Sequence, residues 1–210
     1  MIGFHYRLYL VTDEAACLGR DFFWVIEQAL KGGVDLVQLR EKSLPADKFI
    51  DKAFRLAELC ERYDVPLIIN DSFEIARAVN AFGLHVGQSD IKLDTVLKIS
   101  GHHYPVGLSV ELPEHLLDKQ TEKVWYLGVS PIFATPTKND TISEWGLEGL
   151  HAIRLQSDKP LVAIGNIKSA NAADVVRSGA DCIAVVSEIC SADCPSKAAE
   201  ILRDIIEKNV

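Results

Sequence analysis

PLVAIGNIKSANAADVVRSGADCIAVVS, residues 160–187, decides the fold. Two short runs, 161–164 and 182–186, are apolar and rich in β-branched residues on both faces. Between them, 171–178 carries a helical pattern and stops at Gly179, a usual helix end. Strands apolar on both faces fit a parallel sheet with helices outside and packed side chains inside. The same rhythm fills the chain. Further strand-like runs fall at 7–11, 35–39, 66–69, 83–86, 105–109 and 125–129, making eight. Helical patterns lie at 22–30, 46–63, 72–80, 93–99, 113–117, 147–155 and 195–208. Eight alternating pairs in 210 residues predict a single-domain (β/α)8 TIM barrel over 1–210, its chemistry where the strands end. A doubly wound open sheet shares the rhythm and is the structural alternative.

The net charge of −8 argues against nucleic acid as a partner, because phosphate backbones need a basic surface. Five cysteines form no CxxC pair, so reduced thiols are expected rather than zinc or disulfides. No signal-like segment precedes the first strand, and no apolar run nears the roughly 18 residues of a membrane span. A soluble cytoplasmic protein is expected. An exposed apolar face on a barrel helix would support a homodimer.

Polar and charged residues crowd the strand tips: Thr12-Asp13, Arg40-Glu41-Lys42, Asn70-Asp71, Gly87 to Asp90, Ser109, Ser130-Pro131, Gly165-Asn166 and Ser187-Glu188. Gln38, Arg40 and Lys42 alternate, so they share the face of Leu36, while Val37 and Leu39 turn toward the helices. A guanidinium at a barrel mouth must be paired or hold an anion, since an unpaired buried charge is costly. Arg40 therefore either pairs with Glu41 or another acid, or clamps an anion. Asp71 and Asp90 end neighbouring strands about 4.8 Å apart. Such a pair suits Mg²⁺, which takes remaining ligands from water and phosphate. Each could instead cap the following helix. Thr135, Pro136, Thr137 and Lys138 lie in a long connection, 132–146, that could close over a phosphate or simply be solvated. Gly165 and Val186-Ser187 end the seventh and eighth strands, a common phosphate position in such barrels.

With these positions assembled, the chain resembles the thiamine-phosphate synthase family. The likeness rests on YLVTD at 9–13, QLREK at 38–42, IND at 69–71, GLHVGQSD at 83–90 and GLS at 107–109. SPIFATPTK at 130–138, AIGNI at 163–167 and GADCIAVVS at 179–187 complete it. Each piece is unspecific; their order and spacing are not. The resemblance implies that an aminopyrimidine diphosphate is joined to a carboxylated thiazole phosphate, with loss of pyrophosphate and carbon dioxide. It implies that the stretch Gln38, Leu39, Arg40, Glu41 and Lys42, with Asn70, Ser109 and Lys138, binds the pyrimidine diphosphate. Arg40, Lys42, Ser109 and Lys138 would serve catalysis, and Asp71 and Asp90 would hold Mg²⁺. Thr135, Pro136, Thr137, Gly165, Asn166, Val186 and Ser187 would bind the thiazole phosphate. The pattern departs at Asn166, where the family has a second glycine; Asn tolerates left-handed backbone better than most residues.

Other readings stay open. A related thiazole tautomerase shares the barrel but carries a histidine two residues beyond the fifth-strand serine, where this chain has Glu111. A noncatalytic sensor of thiamine precursors would keep the barrel and lose turnover. A Schiff-base aldolase needs a desolvated lysine in the barrel, whereas Lys42 sits beside Arg40 in an anion-suited cluster.

Overall fold

In a computed structural model describing residues 3–101, 104–134 and 144–210, eight parallel strands close in sequence order. They are β1 (Leu8–Val11), β2 (Leu36–Leu39), β3 (Leu67–Asn70), β4 (Gly83–Val86), β5 (Val106–Val110), β6 (Tyr126–Val129), β7 (Leu161–Ile164) and β8 (Cys182–Val185). β8 pairs with β1, which rules out the open sheet.

Helices α1 (Phe22–Lys31), α2 (Ala46–Arg62), α3 (Phe73–Ala78), α4 (Leu93–Ser100), α5 (Gly146–Gln156), α6 (Ala172–Arg177), α7 (Ser187–Cys190) and α8 (Pro195–Glu207) surround the sheet. Local chemistry sets their ends. The Asp21 side chain accepts the Trp24 N–H at the start of α1 at 2.7 Å, and Gly32 ends that helix. Between β5 and β6 the expected helix is replaced by two 3-10 turns, Pro113–Leu117 and Lys119–Glu122. Pro113 opens the first, and Asp118 caps the second. The one-turn α7 follows β8 directly, a helix the apolar pattern does not announce.

The core has two parts. Val37, Leu39 and Ile69 point outward against the helices, in one apolar layer with Phe49, Leu56 and Ala53 of α2. Tyr9, Val11, Leu36, Ile68, Tyr126, Val162 and Ala184 point inward and fill the barrel. Burying one of the Val, Leu or Ile side chains among them contributes about 1.5–3 kcal/mol. Phe4, Tyr6, Phe82 and Trp125 close the barrel's lower end, with Phe4 and Trp125 rings 4.9 Å apart. At the same end Asp35 accepts the Arg7 and Leu8 N–H groups and pairs with Arg203 of α8 at 2.5 Å. Polar positions at the upper end stay open to a ligand. Among the described residues, no helix is long and apolar enough to cross a membrane.

Candidate active site at the strand ends

Two hollows open side by side at the C-terminal mouth. One, of about 390 Å³, is lined by Gln38, Arg40, Lys42, Asn70, Asp71, His85, Asp90, Ser109 and Glu111. The other, of about 200 Å³, is lined by Thr12, Asp13, Arg40, Gly165, Asn166, Lys168, Val186 and Ser187. They share Arg40, Ser130, Val11, Ile164 and Ala184 as a common wall. The barrel thus brings together Gln38, Arg40, Lys42, Asn70, Asp71, Asp90 and Ser109 in one lobe. Gly165, Asn166, Val186 and Ser187 line the other.

Leu39 and Glu41 turn away from both. Leu39 is fully buried in the outer layer, and the Glu41 carboxylate meets Lys52 at 2.5 Å. That second pairing removes the nearest partner Arg40 could have had. Among the described residues, no carboxylate lies within ion-pair distance of its guanidinium. Its backbone N–H is held by the Thr12 hydroxyl at 3.2 Å. Thr135, Pro136, Thr137 and Lys138 lie outside the described residues. The segments flanking them are tied together: Glu144 accepts the Ala134 N–H at 2.6 Å, and the Trp145 N–H donates to the Pro131 carbonyl at 2.9 Å.

Neither acidic strand tip caps a helix. Ser72 takes that role for α3, accepting the Ile75 N–H at 3.4 Å. Asp90 accepts the Gly87 N–H at 2.7 Å, closing its own loop backward, while α4 begins beyond Lys92. Asp71 adopts a left-handed φ of 60° and pairs with Lys42 at 2.5 Å. Burial raises the Asp71 pKa, Lys42 opposes that rise, and the nearby Asp90 adds to it. Two carboxylates this close suit a divalent cation that completes its shell with water and phosphate oxygens. Among the described residues, no group of three or more His, Cys, Asp or Glu could hold a metal.

In the smaller hollow, Gly165 and Asn166 both take positive φ, 119° and 48°. A Cβ at Gly165 would sit 2.7 Å from Pro131 Cβ and 2.8 Å from the Ile132 backbone nitrogen, so only glycine fits. Lys168 reaches the Ser187 hydroxyl and the Glu188 carboxylate, each at 3.4 Å.

A buried polar chain escaped the sequence reading. The Gln38 amide donates to the Tyr9 hydroxyl at 2.8 Å, and Tyr9 bonds Tyr126 at 3.1 Å. Tyr126 bonds His85 Nδ1 at 2.8 Å, and His85 Nε2 bonds the Ser109 hydroxyl at 3.0 Å. Burial pushes both phenols well above their ordinary pKa, so they stay neutral. A Cβ at Gly107 would lie 2.1 Å from the Tyr126 ring, and one at Gly128 would lie 3.0 Å from His85. Glycine on an inward strand position was the available signal, because it marks close approach.

The family model described as thiamine monophosphate synthase matches residues 8–189. The chain belongs to that family. A thiamine-phosphate synthase of Albidiferax ferrireducens is 46% identical over 201 residues, covering 96% of this chain and 92% of that one. Another, from Chloroflexus aurantiacus, is 45% identical, covering 96% and 93%. A solved thiamine phosphate pyrophosphorylase from Pyrococcus furiosus superposes with a TM-score of 0.89 at 32% identity, covering 98% of each chain. A 3-hexulose-6-phosphate synthase, at 18% identity, has a TM-score of 0.68 and covers 95% and 99%; it shares the barrel alone.

Proposed function

We propose that this chain is a thiamine-phosphate synthase joining an aminopyrimidine-methyl diphosphate to a carboxylated hydroxyethylthiazole phosphate. The observation that carries the reading is the pair of adjoining hollows with Arg40 in their shared wall, a layout suited to two substrates that must meet. The larger lobe takes the pyrimidine diphosphate. Gln38 and Ser109 face its ring, and Arg40, Lys42 and Asn70 face its diphosphate; Lys138, in the sequence after β6, would be a further ligand of that diphosphate. The smaller lobe takes the thiazole phosphate on Gly165, Asn166, Val186 and Ser187, with Thr135, Pro136 and Thr137 adding contacts.

Asp71 and Asp90 would hold Mg²⁺, which when bound neutralises diphosphate charge. Lys42, paired with Asp71 here, would then turn its ammonium to the leaving group. The reaction breaks the methylene C–O bond, leaving both electrons on pyrophosphate and a pyrimidinylmethyl cation. The thiazole nitrogen supplies the electron pair of the new C–N bond; carbon dioxide then leaves from the carboxylated ring, its bonding pair stays in the ring system, and that system takes up one proton. Preorganised positive charge where the leaving oxygen becomes negative is the main contribution the side chains make. No nucleophilic side chain is required. The five free cysteines, four of them buried, support a cytoplasmic setting.

Mixing both phosphorylated substrates with the protein, with Mg²⁺ or with EDTA, tests the reading. Thiamine phosphate formed only with metal supports it. Binding without turnover overturns it, as does double-bond migration in the thiazole alone, which indicates a tautomerase.

A further inference from the structure

The chain from Gln38 to Ser109 has a direction. An amide nitrogen only donates, so the Tyr9 hydroxyl proton must go to Tyr126. Tyr126 then donates to His85 Nδ1, which must be bare, and the neutral imidazole carries its proton on Nε2 and gives it to Ser109. The Ser109 proton is left for the cavity. At the other end, among the described residues, the Gln38 carbonyl oxygen has no bonding partner. Among the described residues no buried side-chain oxygen is left unsatisfied, so that atom opens to the same cavity. Turning the Gln38 amide over reverses every link: Tyr9 donates to Gln38, Tyr126 to Tyr9, His85 to Tyr126 and Ser109 to His85. Gln38 would then donate to the cavity and Ser109 would accept from it. One end is an acceptor whenever the other is a donor.

We propose that Tyr9, Tyr126 and His85 are positioning residues that tie the hydrogen-bonding character of Gln38 to that of Ser109. The site then accepts a heteroaromatic ring only when it offers a donor to one of the two and an acceptor to the other. An aminopyrimidine does so through its exocyclic amine and a ring nitrogen. A ring carrying acceptors alone leaves one end unpaired. The proposal rests on the reading that the pyrimidine lies between Gln38 and Ser109.

Calorimetric titration of the aminopyrimidine diphosphate and its desamino analogue tests it without turnover. Wild type should prefer the amino compound. Tyr126→Phe should lower that preference about tenfold, the worth of one net hydrogen bond, because the two ends then orient independently. The affinity for thiazole phosphate should not change. In ¹⁵N spectra of the full chain saturated with the amino compound, wild-type His85 should show one neutral tautomer, because the bound ring fixes both ends of the chain. Tyr9→Phe cuts the chain one link earlier and should relax the preference equally, serving if Tyr126→Phe does not fold. An unchanged preference in a folded variant, or two tautomers persisting in the saturated wild type, overturns the proposal alone. Wild type binding neither pyrimidine overturns it together with the functional reading.

Discussion

Replacing Gly107 by alanine should damage both the barrel and the site, and the structure gives the size of the effect. The added Cβ would stand 2.1 Å from Tyr126 Cζ and 2.5 Å from both Cε atoms. Carbon atoms rest at about 3.5 Å or more, so the ring must retreat by roughly 1.4 Å. The strand pairing gives no slack, since Gly107 and Tyr126 are register partners on β5 and β6. Neighbouring rings constrain it further, since Phe4 and Trp125 lie with centroids 5.7 Å away. The displacement breaks the hydroxyl's bonds to His85 and Tyr9, at 2.8 and 3.1 Å. Overpacking costs about 1–3 kcal/mol, and stranding each buried polar partner costs about 1–3 kcal/mol more. The total is about 3–9 kcal/mol, a large share of a domain stability of about 5–15 kcal/mol. Urea denaturation at equilibrium reads it directly. Placed on Tyr126→Phe, where those hydrogen bonds are already gone, the same substitution should cost only the overpacking part. The cycle should therefore show at least about 2 kcal/mol of coupling, the smallest cost of stranding two polar partners. A Gly107→Ala loss under about 1 kcal/mol, or strict additivity with Tyr126→Phe, would refute the reasoning.

Asn166→Gly trades side-chain strain at a φ of 48° against chain entropy, so stability should move by no more than about 0.5 kcal/mol. The KM for thiazole phosphate should fall, because the backbone can then approach the anion more closely; steady-state kinetics showing an equal or higher KM counts against this. Arg40→Ala should lower turnover by about 100-fold or more while urea unfolding changes by less than about 1 kcal/mol, since no ion pair is lost. Normal turnover with clear destabilisation would restore a structural role for Arg40. Burial raises the Asp35 pKa above its ordinary 3.8 despite the Arg7 and Leu8 N–H groups and Arg203. The folded state therefore holds that proton more tightly than the unfolded state. The stability this confers is complete below the unfolded pKa and is lost as pH rises through the folded one. Asp35→Asn cannot ionise, so denaturation from pH 3.5 to 7 should show the variant gaining relative to wild type. A gap that moves the other way would mean the hydrogen bonds outweigh burial.

The strands were readable because both faces are buried, which leaves apolar β-branched runs bounded by polar tips. Alternation along Gln38, Arg40 and Lys42 gave their shared face, and the structure keeps it: Val37 and Leu39 turn outward, while Leu36 turns in. Alternation says which wall a side chain faces, but not whom it meets. Glu41 follows Arg40 in sequence yet pairs with Lys52 on α2, and Lys42 pairs with Asp71 across two strands. The helix Ser187–Cys190 was hidden because one turn offers too few residues for a helical period.

The inner polar chain was hidden for a related reason. Tyr9, Tyr126, His85 and Ser109 come from four strands, with sequence separations of 117, 41 and 24 along the links. Each residue alone fits a barrel core or a strand tip. Their connection follows only once register places His85 beside Gly107, Gly107 beside Tyr126, and Ser109 beside Gly128. Each glycine then explains a neighbour, Gly107 clearing room for the phenol and Gly128 for the imidazole. A core filled by aliphatic residues would close the barrel equally well. Here the interior instead carries fully hydrogen-bonded polar groups up to the floor of the cavity, where Gln38 and Ser109 present opposite hydrogen-bonding characters. The filling of the barrel and the selectivity of its mouth are thus set by the same side chains.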